Sequence, residues 1–498
     1  MVALNQGLRE AGMNATALCE RTGAPSIGKI ELKRDGRKIG VTLETPLDVL
    51  LRLNVDQEFV PADDFERIMP SGLGSLLIEA GLVEESESGY LAASIIYPME
   101  DEIICSDRAM HPDDRPFELP ADSVYFASNS GTITLLGWLP KSRPRKFLEI
   151  CGGAGAIAIT MARTTNSEVW SADISERCTA FASFSAALNG AEQFHGVTGD
   201  LYQPVAGQQF DLIAVHPPYV PEFETRVVFR DGGRDGETIL RRCVEGLPAA
   251  LAPGGSAYIV TLMTDRKDGM AQDRIRRWLG DAHEEFDVFM LNDWTHHIAD
   301  SMFTSKEVVD RAGLRAYLTS IGVEHQLYGL VIIRRHDGVA APWSIRRKKG
   351  AGWTADGLDR MMDLASAVSS PELFRSLRDI PLYVPDGVQM QLRHEGKGGR
   401  LQPPSVYLST GNPVPVEGNY PDWSYGVLML ADGVRTAGDL FEELKNQGAL
   451  GADPQFGDFL QTISWMFASG FLLPKNLTRH SRNQRGKSDT MPGWALNH

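Results

Sequence analysis

The chain has 498 residues, 43% of them hydrophobic and 23% charged, and a formal net charge of −16. That length exceeds one ordinary domain, so two to four folded units are expected. The negative charge disfavours polyanionic partners such as nucleic acid, and no run approaches the ~18 apolar residues that cross a bilayer. Five scattered cysteines (Cys19, Cys105, Cys151, Cys178, Cys243) contain no Cys-x-x-Cys pair, so neither a zinc site nor a disulfide framework is expected. The first residues lack a basic stretch followed by an apolar core, which makes the cytoplasm the expected compartment.

Residues 1–120 read as a small domain. Helices are expected at 46–53, at 62–68 behind Pro61, and at 71–81, where Leu73, Leu76, Leu77 and Ala80 share a face. Two apolar stretches, 82–84 and 90–97, follow around Ser86-Glu87-Ser88-Gly89. Helices followed by a ribbon suggest a winged-helix-like domain. Its many acids, among them Asp63, Asp64, Glu84, Glu85 and Glu87, suit contact with protein or cover for a substrate better than a grip on phosphate.

A connector follows. Near its end, Asn129, Ser130 and Thr132 precede an apolar run, read from the residues as the cap of a helix and, on the resemblance given below, as contacts that close a ligand pocket. The core, residues 121–337, carries seven predicted strands: 146–151, 168–172, 193–198, 210–215, 256–262, 286–291 and 325–334. Helical stretches separate most of them, so a doubly wound, mostly parallel α/β sheet is expected. Ligands of such sheets lie at the carboxyl ends of the strands. The notable residues fall there: the turn Cys151-Gly152-Gly153-Ala154-Gly155 after the first strand, Asp173 after the second, Asp200 after the third, and His216-Pro217-Pro218-Tyr219 after the fourth.

Beyond the core, residues 346–352 read as a charged linker. Residues 353–475 read as a C-terminal α+β domain, again winged-helix-like, with helices at 356–368, 436–447 and 455–469, a strand at 382–393 and a Pro-rich stretch at 403–421. The polar, basic tail 476–498 is expected to be disordered.

The glycine turn, the two acids and the Pro-Pro-Tyr segment, in that order, resemble the class I S-adenosylmethionine-dependent methyltransferases. The likeness is to the bacterial small-domain type, relatives of release-factor glutamine and rRNA methyltransferases. It implies a seven-stranded Rossmann-like core and S-adenosylmethionine as cofactor. It further implies that Glu149 reaches the cofactor's amino group, that Cys151, Gly152, Gly153 and Gly155 pass under its methionine part, and that Asp173, with Ile174 beside it, takes the ribose. Asp200 and Leu201 fall to the adenine. His216, Pro217 and Tyr219 become the catalytic residues, with His216 also next to the cofactor, Tyr219 stacking on the acceptor, and Arg230 and Asn129 as further substrate contacts.

Two departures stand out. Cys151 replaces the usual first glycine, and His216 replaces Asn or Asp, which leaves a base and a simple binder as alternatives. Arg230, in the loop Phe229-Arg230-Asp231-Gly232-Gly233-Arg234-Asp235-Gly236, either meets a substrate carboxylate or pairs within its own turn. The expected activity is methyl transfer to a nitrogen, oxygen or acidic carbon of a small-molecule or amino-acid-like acceptor. A protein or peptide methyltransferase, an rRNA N-methyltransferase and a non-catalytic S-adenosylmethionine sensor are the alternatives. The sequence leaves the oligomeric state open.

Overall fold

The computed structural model describes residues 1–30, 39–113, 117–126, 130–224, 226–299, 310–338, 340–369, 376–402, 404–451, 453–475, 477–479 and 494–496. Asn129 and most of the tail beyond 475 lie outside the described residues.

A sheet of eight strands organises the chain. From one edge to the other they are Phe194–Thr198, Glu168–Asp173, Lys146–Ile150, Phe210–Val215, Leu251–Arg266, Val323–Arg335, Phe286–His297 and Ser344–Lys348. The first five pair in parallel, as do the last two with each other. Buried runs such as Phe147, Leu148 and Ile150, or Leu212, Ile213, Ala214 and Val215, explain the central strands, because a parallel strand is covered on both faces. The expected count of seven is corrected to eight. The additional strand, Ser344–Lys348, takes up part of the segment read as a linker. In it only Ile345 is buried, and its neighbours are Ser, Arg and Lys, a composition that conceals an edge strand while guarding it against stray pairing.

By internal contacts the chain divides into two compact units, Met1–Gly137 with Arg143–Leu279 and Asp293–Ile332, and Trp138–Ser142 with Gly280–Asn292 and Ile333–His498. In the first, the helices Val2–Glu10, Ala15–Thr22, Pro46–Asn54, Ala62–Ile68 and Ser71–Glu79 share one apolar core with the ribbon Val83–Ser86/Gly89–Ala92. Helix Pro46–Asn54 starts in a capping box, Thr45 and Asp48 each bonding the other's backbone N–H. The apolar stretch 90–97 is divided between two strands. The second, Ser94–Met99, forms its own hairpin with Glu102–Asp107. That hairpin docks on the helix Glu176–Leu188: Ile103 N donates to Asn189 Oδ1 at 2.9 Å, Asn189 Nδ2 returns a bond to Ile103 O at 2.8 Å, and Cys105 N donates to Ser185 Oγ at 2.9 Å.

In the second unit, the helix Ala355–Ser369 is held by Asp363, which accepts from buried Arg334 at 2.8 Å. The expected strand 382–393 is broken by Pro385-Asp386-Gly387, a turn sequence, into Pro381–Tyr383 and Gln389–Arg393, which join different sheets. Gln389–Arg393, Ser405–Thr410 and Val416–Tyr420 form an antiparallel three-stranded sheet, the last two within the Pro-rich stretch, with Pro413 and Pro415 confined to the connection between them.

Candidate functional site

The first core strand ends in a turn whose backbone excludes side chains. Cys151, Gly153 and Gly155 all take positive φ, at 58°, 54° and 72°. Two of these are glycines, for which the conformation costs little, whereas Cys151 holds it as an ordinary L-residue. A Cβ on Gly152 would lie 2.1 Å from Ser171 Oγ, and one on Gly155 2.7 Å from Ala182 Cβ. The turn is tied to the next strand end: Gly153 N donates to Asp173 Oδ2 at 2.8 Å, and Ser175 N to Asp173 Oδ1 at 2.9 Å. Glu149, buried beneath it, accepts from Ala158 N at 3.1 Å and Ser171 Oγ at 3.3 Å. Burial pushes the Glu149 carboxyl up to about 8 and raises Asp173 as well. The neighbouring Cys243 thiol, together with burial, holds the Cys151 thiol well above the usual range.

These residues open on a cavity of about 630 Å³. Glu149, Cys151, Gly152, Gly153, Asp173, Ile174, Asp200, Leu201, His216, Pro217, Tyr219 and Arg230 all line it. Gly155 does not, because it packs behind the turn against Ala182. Ile174 is 58% exposed, and Leu201 is a second non-glycine at positive φ, 49°. Asp200 accepts from Arg242 Nη2 at 2.6 Å. Arg242, on the helix Thr238–Ala250, gave no signal in the sequence, since its partner lies 42 residues away. Tyr125, Phe126 and Thr132 come from the segment before the first strand and also line the cavity.

The fourth strand, Phe210–Val215, parallel to and paired with the first, delivers His216-Pro217-Pro218-Tyr219 to the same cavity. His216 Nδ1 lies 3.4 Å from Thr132 Oγ1, while its buried Nε2 has no hydrogen-bond partner among the described residues. Burial lowers the imidazole to about 4, so it is neutral at physiological pH. The Tyr219 ring stands 5.8 Å from His216 and 5.7 Å from Tyr328, which in turn stacks on Trp294 at 5.7 Å. Tyr125 and Phe229 stack at 4.3 Å.

The loop after the motif supports it from behind. Val220 N donates to Arg230 O and Gly232 N to Val220 O, both at 2.9 Å. A Cβ on Gly232 would fall 2.7 Å from Pro218 O and from Tyr219 Cα, so main chain rests on main chain there. Arg230 lines the cavity and also pairs within its own loop. Its Nε donates to Asp231 Oδ1 at 2.6 Å, and its Nη2 is 3.9 Å from Glu222 Oε2. That is the arrangement of an internally paired turn. Asp293 and His296 follow on from the buried part of Phe286–His297, and among the described residues no cluster of His, Cys, Asp and Glu could hold a metal.

The residues fit S-adenosylmethionine by observations independent of any likeness: a cradle that a Cβ would fill at Gly152, carboxylates at successive strand ends, and a residue of the same lining, His216, with an orphaned imidazole nitrogen. Known proteins agree. The family described as "Methyltransferase small domain" matches residues 125–283. A release factor glutamine methyltransferase of Gloeobacter violaceus is 30% identical over 123 residues, 22% of this chain and 43% of the relative. A ribosomal protein uL3 glutamine methyltransferase of Xanthomonas campestris is 33% identical over 115 residues, 23% and 37%. A protein of Methanocaldococcus jannaschii, provisionally named as a protein N5-glutamine methyltransferase, is 33% identical over 135 residues, 26% and 68%. The match thus spans less than half the length of the first two relatives and two thirds of the third. On the site and on these matches, the chain belongs to the class I S-adenosylmethionine-dependent methyltransferases, in their small-domain family.

Proposed function

We propose that the protein transfers a methyl group from S-adenosylmethionine to a side-chain nitrogen of a polypeptide, with a planar, glutamine-type amide as the acceptor class. This reading sets aside the small-molecule expectation, since the relatives' names assign them to release factors, ribosomal protein uL3 and protein glutamine. The observation that carries it is the neutral His216, whose buried Nε2 is unpartnered beside Pro217 and Tyr219.

A primary amide nitrogen has two N–H groups. If Nδ1–H of His216 donates to Thr132 Oγ1, Nε2 is left as an acceptor, and the Pro217 carbonyl is a second. Two fixed acceptors orient the nitrogen so that its π lone pair faces the reacting methyl, and the proline ring keeps the carbonyl aimed. Tyr219 offers a flat face to the planar amide. Bound S-adenosylmethionine supplies an electrophilic methyl on a sulfonium. As the N–C bond would form, the C–S bond would break, its electron pair leaving the sulfur as a neutral thioether, and the acidified N–H proton would pass to solvent water. An imidazole depressed to about 4 is a poor proton acceptor at neutral pH but a good hydrogen-bond acceptor. Of the two roles the sequence left open, binder is favoured.

Glu149 is expected to respond to the donor. Its carboxyl, raised to about 8, is mostly protonated at pH 7 in the free protein, and the cofactor's ammonium would draw it into its ionised form. Binding of S-adenosylmethionine at pH 7 should therefore release close to one proton. Calorimetry in buffers of different ionisation enthalpy reads this directly, and Glu149→Gln should abolish the release.

The acceptor class is tested by incubating the enzyme and tritiated S-adenosylmethionine with the proteins and, separately, the small molecules of its host. Label on a polypeptide, mapped by mass spectrometry to a glutamine side chain, is the expected result. Label confined to the small-molecule fraction would sink the reading.

A further inference from the structure

The second compact unit holds a cavity of its own, about 850 Å³, that the methyl-transfer reading does not use. Its chemistry is distinctive. Three consecutive cations, Arg347, Lys348 and Lys349, enter its lining from the end of the strand Ser344–Lys348. In a chain with a net charge of −16, such a concentration is a local reversal of sign. Lys349 lies 5.4 Å over the Trp138 ring. Arg347 is half-buried, its Nη1 donates to its neighbour's carbonyl, Arg346 O, at 3.1 Å, and burial lowers its pKa. Among the described residues no carboxylate pairs with Arg347 or Lys348. The acid in the lining, Glu417, hydrogen-bonds the Tyr407 hydroxyl. A half-buried guanidinium without a counter-ion costs free energy unless a ligand anion completes it.

The floor indicates what kind of anion. Gln389, Ser409 and Glu417 line the cavity and stand in register across the three-stranded sheet, Gln389 opposite Ser409 and Ser409 opposite Glu417. The strand Val416–Tyr420 is one of the two outer strands of that sheet, and of the two it gives the cavity more of its lining, Val416, Glu417 and Tyr420. An outer strand offers main-chain N–H and C=O groups to another polypeptide, the pairing that β-strand addition uses. A nucleic acid has no such groups to pair. The chain's net charge of −16 also opposes a long polyanion, whereas a short acidic peptide needs only the local cations.

We propose that this cavity binds an acidic segment of polypeptide, extended along the outer strand Val416–Tyr420 with its carboxylates against Arg347 and Lys348. The inference rests on the reading of the acceptor as a polypeptide and names a second place where such a substrate is held.

The test uses the full chain without methyl donor and measures fluorescence anisotropy with a fluorescein-labelled peptide of alternating glutamate and valine. The glutamate peptide should bind, with affinity falling as salt rises. Its glutamine counterpart should bind about tenfold more weakly or worse, as the loss of charge-assisted hydrogen bonds implies. The double variant Arg347→Gln, Lys348→Gln should lose a similar factor. Glu417→Gln should bind several-fold more tightly, a gain that misfolding cannot imitate. Equal binding of the two peptides, unchanged affinity in the double variant, or tighter binding of an oligonucleotide of equal charge would each overturn the proposal. Because no donor is present, the two readings fail separately. Failure of the unaltered chain to bind the glutamate peptide, with polypeptide methylation present, overturns the cavity's role alone, and peptide binding by an enzyme that labels no polypeptide supports the cavity while overturning the acceptor class.

Discussion

Asp173→Ala should lower the affinity for S-adenosylmethionine by about 10²-fold or more, read by titration calorimetry, with the protein still folded. The estimate follows from two charge-assisted hydrogen bonds to the ribose hydroxyls, each worth about 1.5–3 kcal/mol. The same carboxylate also organises the site, since its two oxygens hold Gly153 N at 2.8 Å and Ser175 N at 2.9 Å. Its loss would free the glycine turn from the second strand as well as removing a ligand. Asp173→Asn separates the two effects: the amide oxygen can keep one backbone bond but cannot serve both backbone donors and both hydroxyls. An intermediate affinity is expected. Unchanged binding in the alanine variant would remove the donor assignment altogether.

His216→Ala should leave donor affinity nearly intact and lower kcat by about 10²-fold, the scale of losing one hydrogen bond that aligns the nucleophile. His216→Asn should recover part of the rate, because its amide also presents an acceptor next to Pro217. The pH profile discriminates the roles. With an imidazole at about 4, kcat should be flat from about pH 6 to 9 and fall only on acidification toward 4. A base near neutrality would instead give a rate that climbs through pH 7. The folded-state value lies below the ordinary 6.5, so the unfolded chain binds the extra proton between the two. The stabilising contribution of neutral His216 is thus complete above about 6.5 and is lost as pH falls toward 4.

Much of this arrangement could be read from the chain because its central strands are buried on both faces and announce themselves as apolar runs. Phe210–Val215 has the bounds expected, and Lys146–Ile150 and Glu168–Asp173 differ by one residue at an end. Strands that carry charge were hidden. Ser344–Lys348 looks like a linker because one residue in it, Ile345, is buried. The helices Val2–Glu10 and Ala15–Thr22 were also missed; each is short, with few buried residues to mark a face. Site residues at strand ends were visible through position and type. Their partners were not, because those contacts are made by folding. Thr132 meets His216 across 84 residues and Arg242 meets Asp200 across 42, and neither spacing leaves a mark in one sequence. For the same reason the sequence left Arg230 open between two fates: its guanidinium pairs with Asp231 and approaches Glu222 while the residue also lines the cavity.

The backing of the Pro-Pro-Tyr segment by Gly232 has an evolutionary reading. Where main chain lies on main chain, there is no side chain to exchange, and even a methyl group would have to displace Pro218 and Tyr219 together. Descent could therefore not retune that wall by small steps. Changes of acceptor had to come through side chains that line the cavity beside it, and the candidates are His216, Thr132, Tyr125 and Phe126. An engineer seeking a new acceptor should diversify those four positions and leave the loop from Phe229 to Gly236 as inherited.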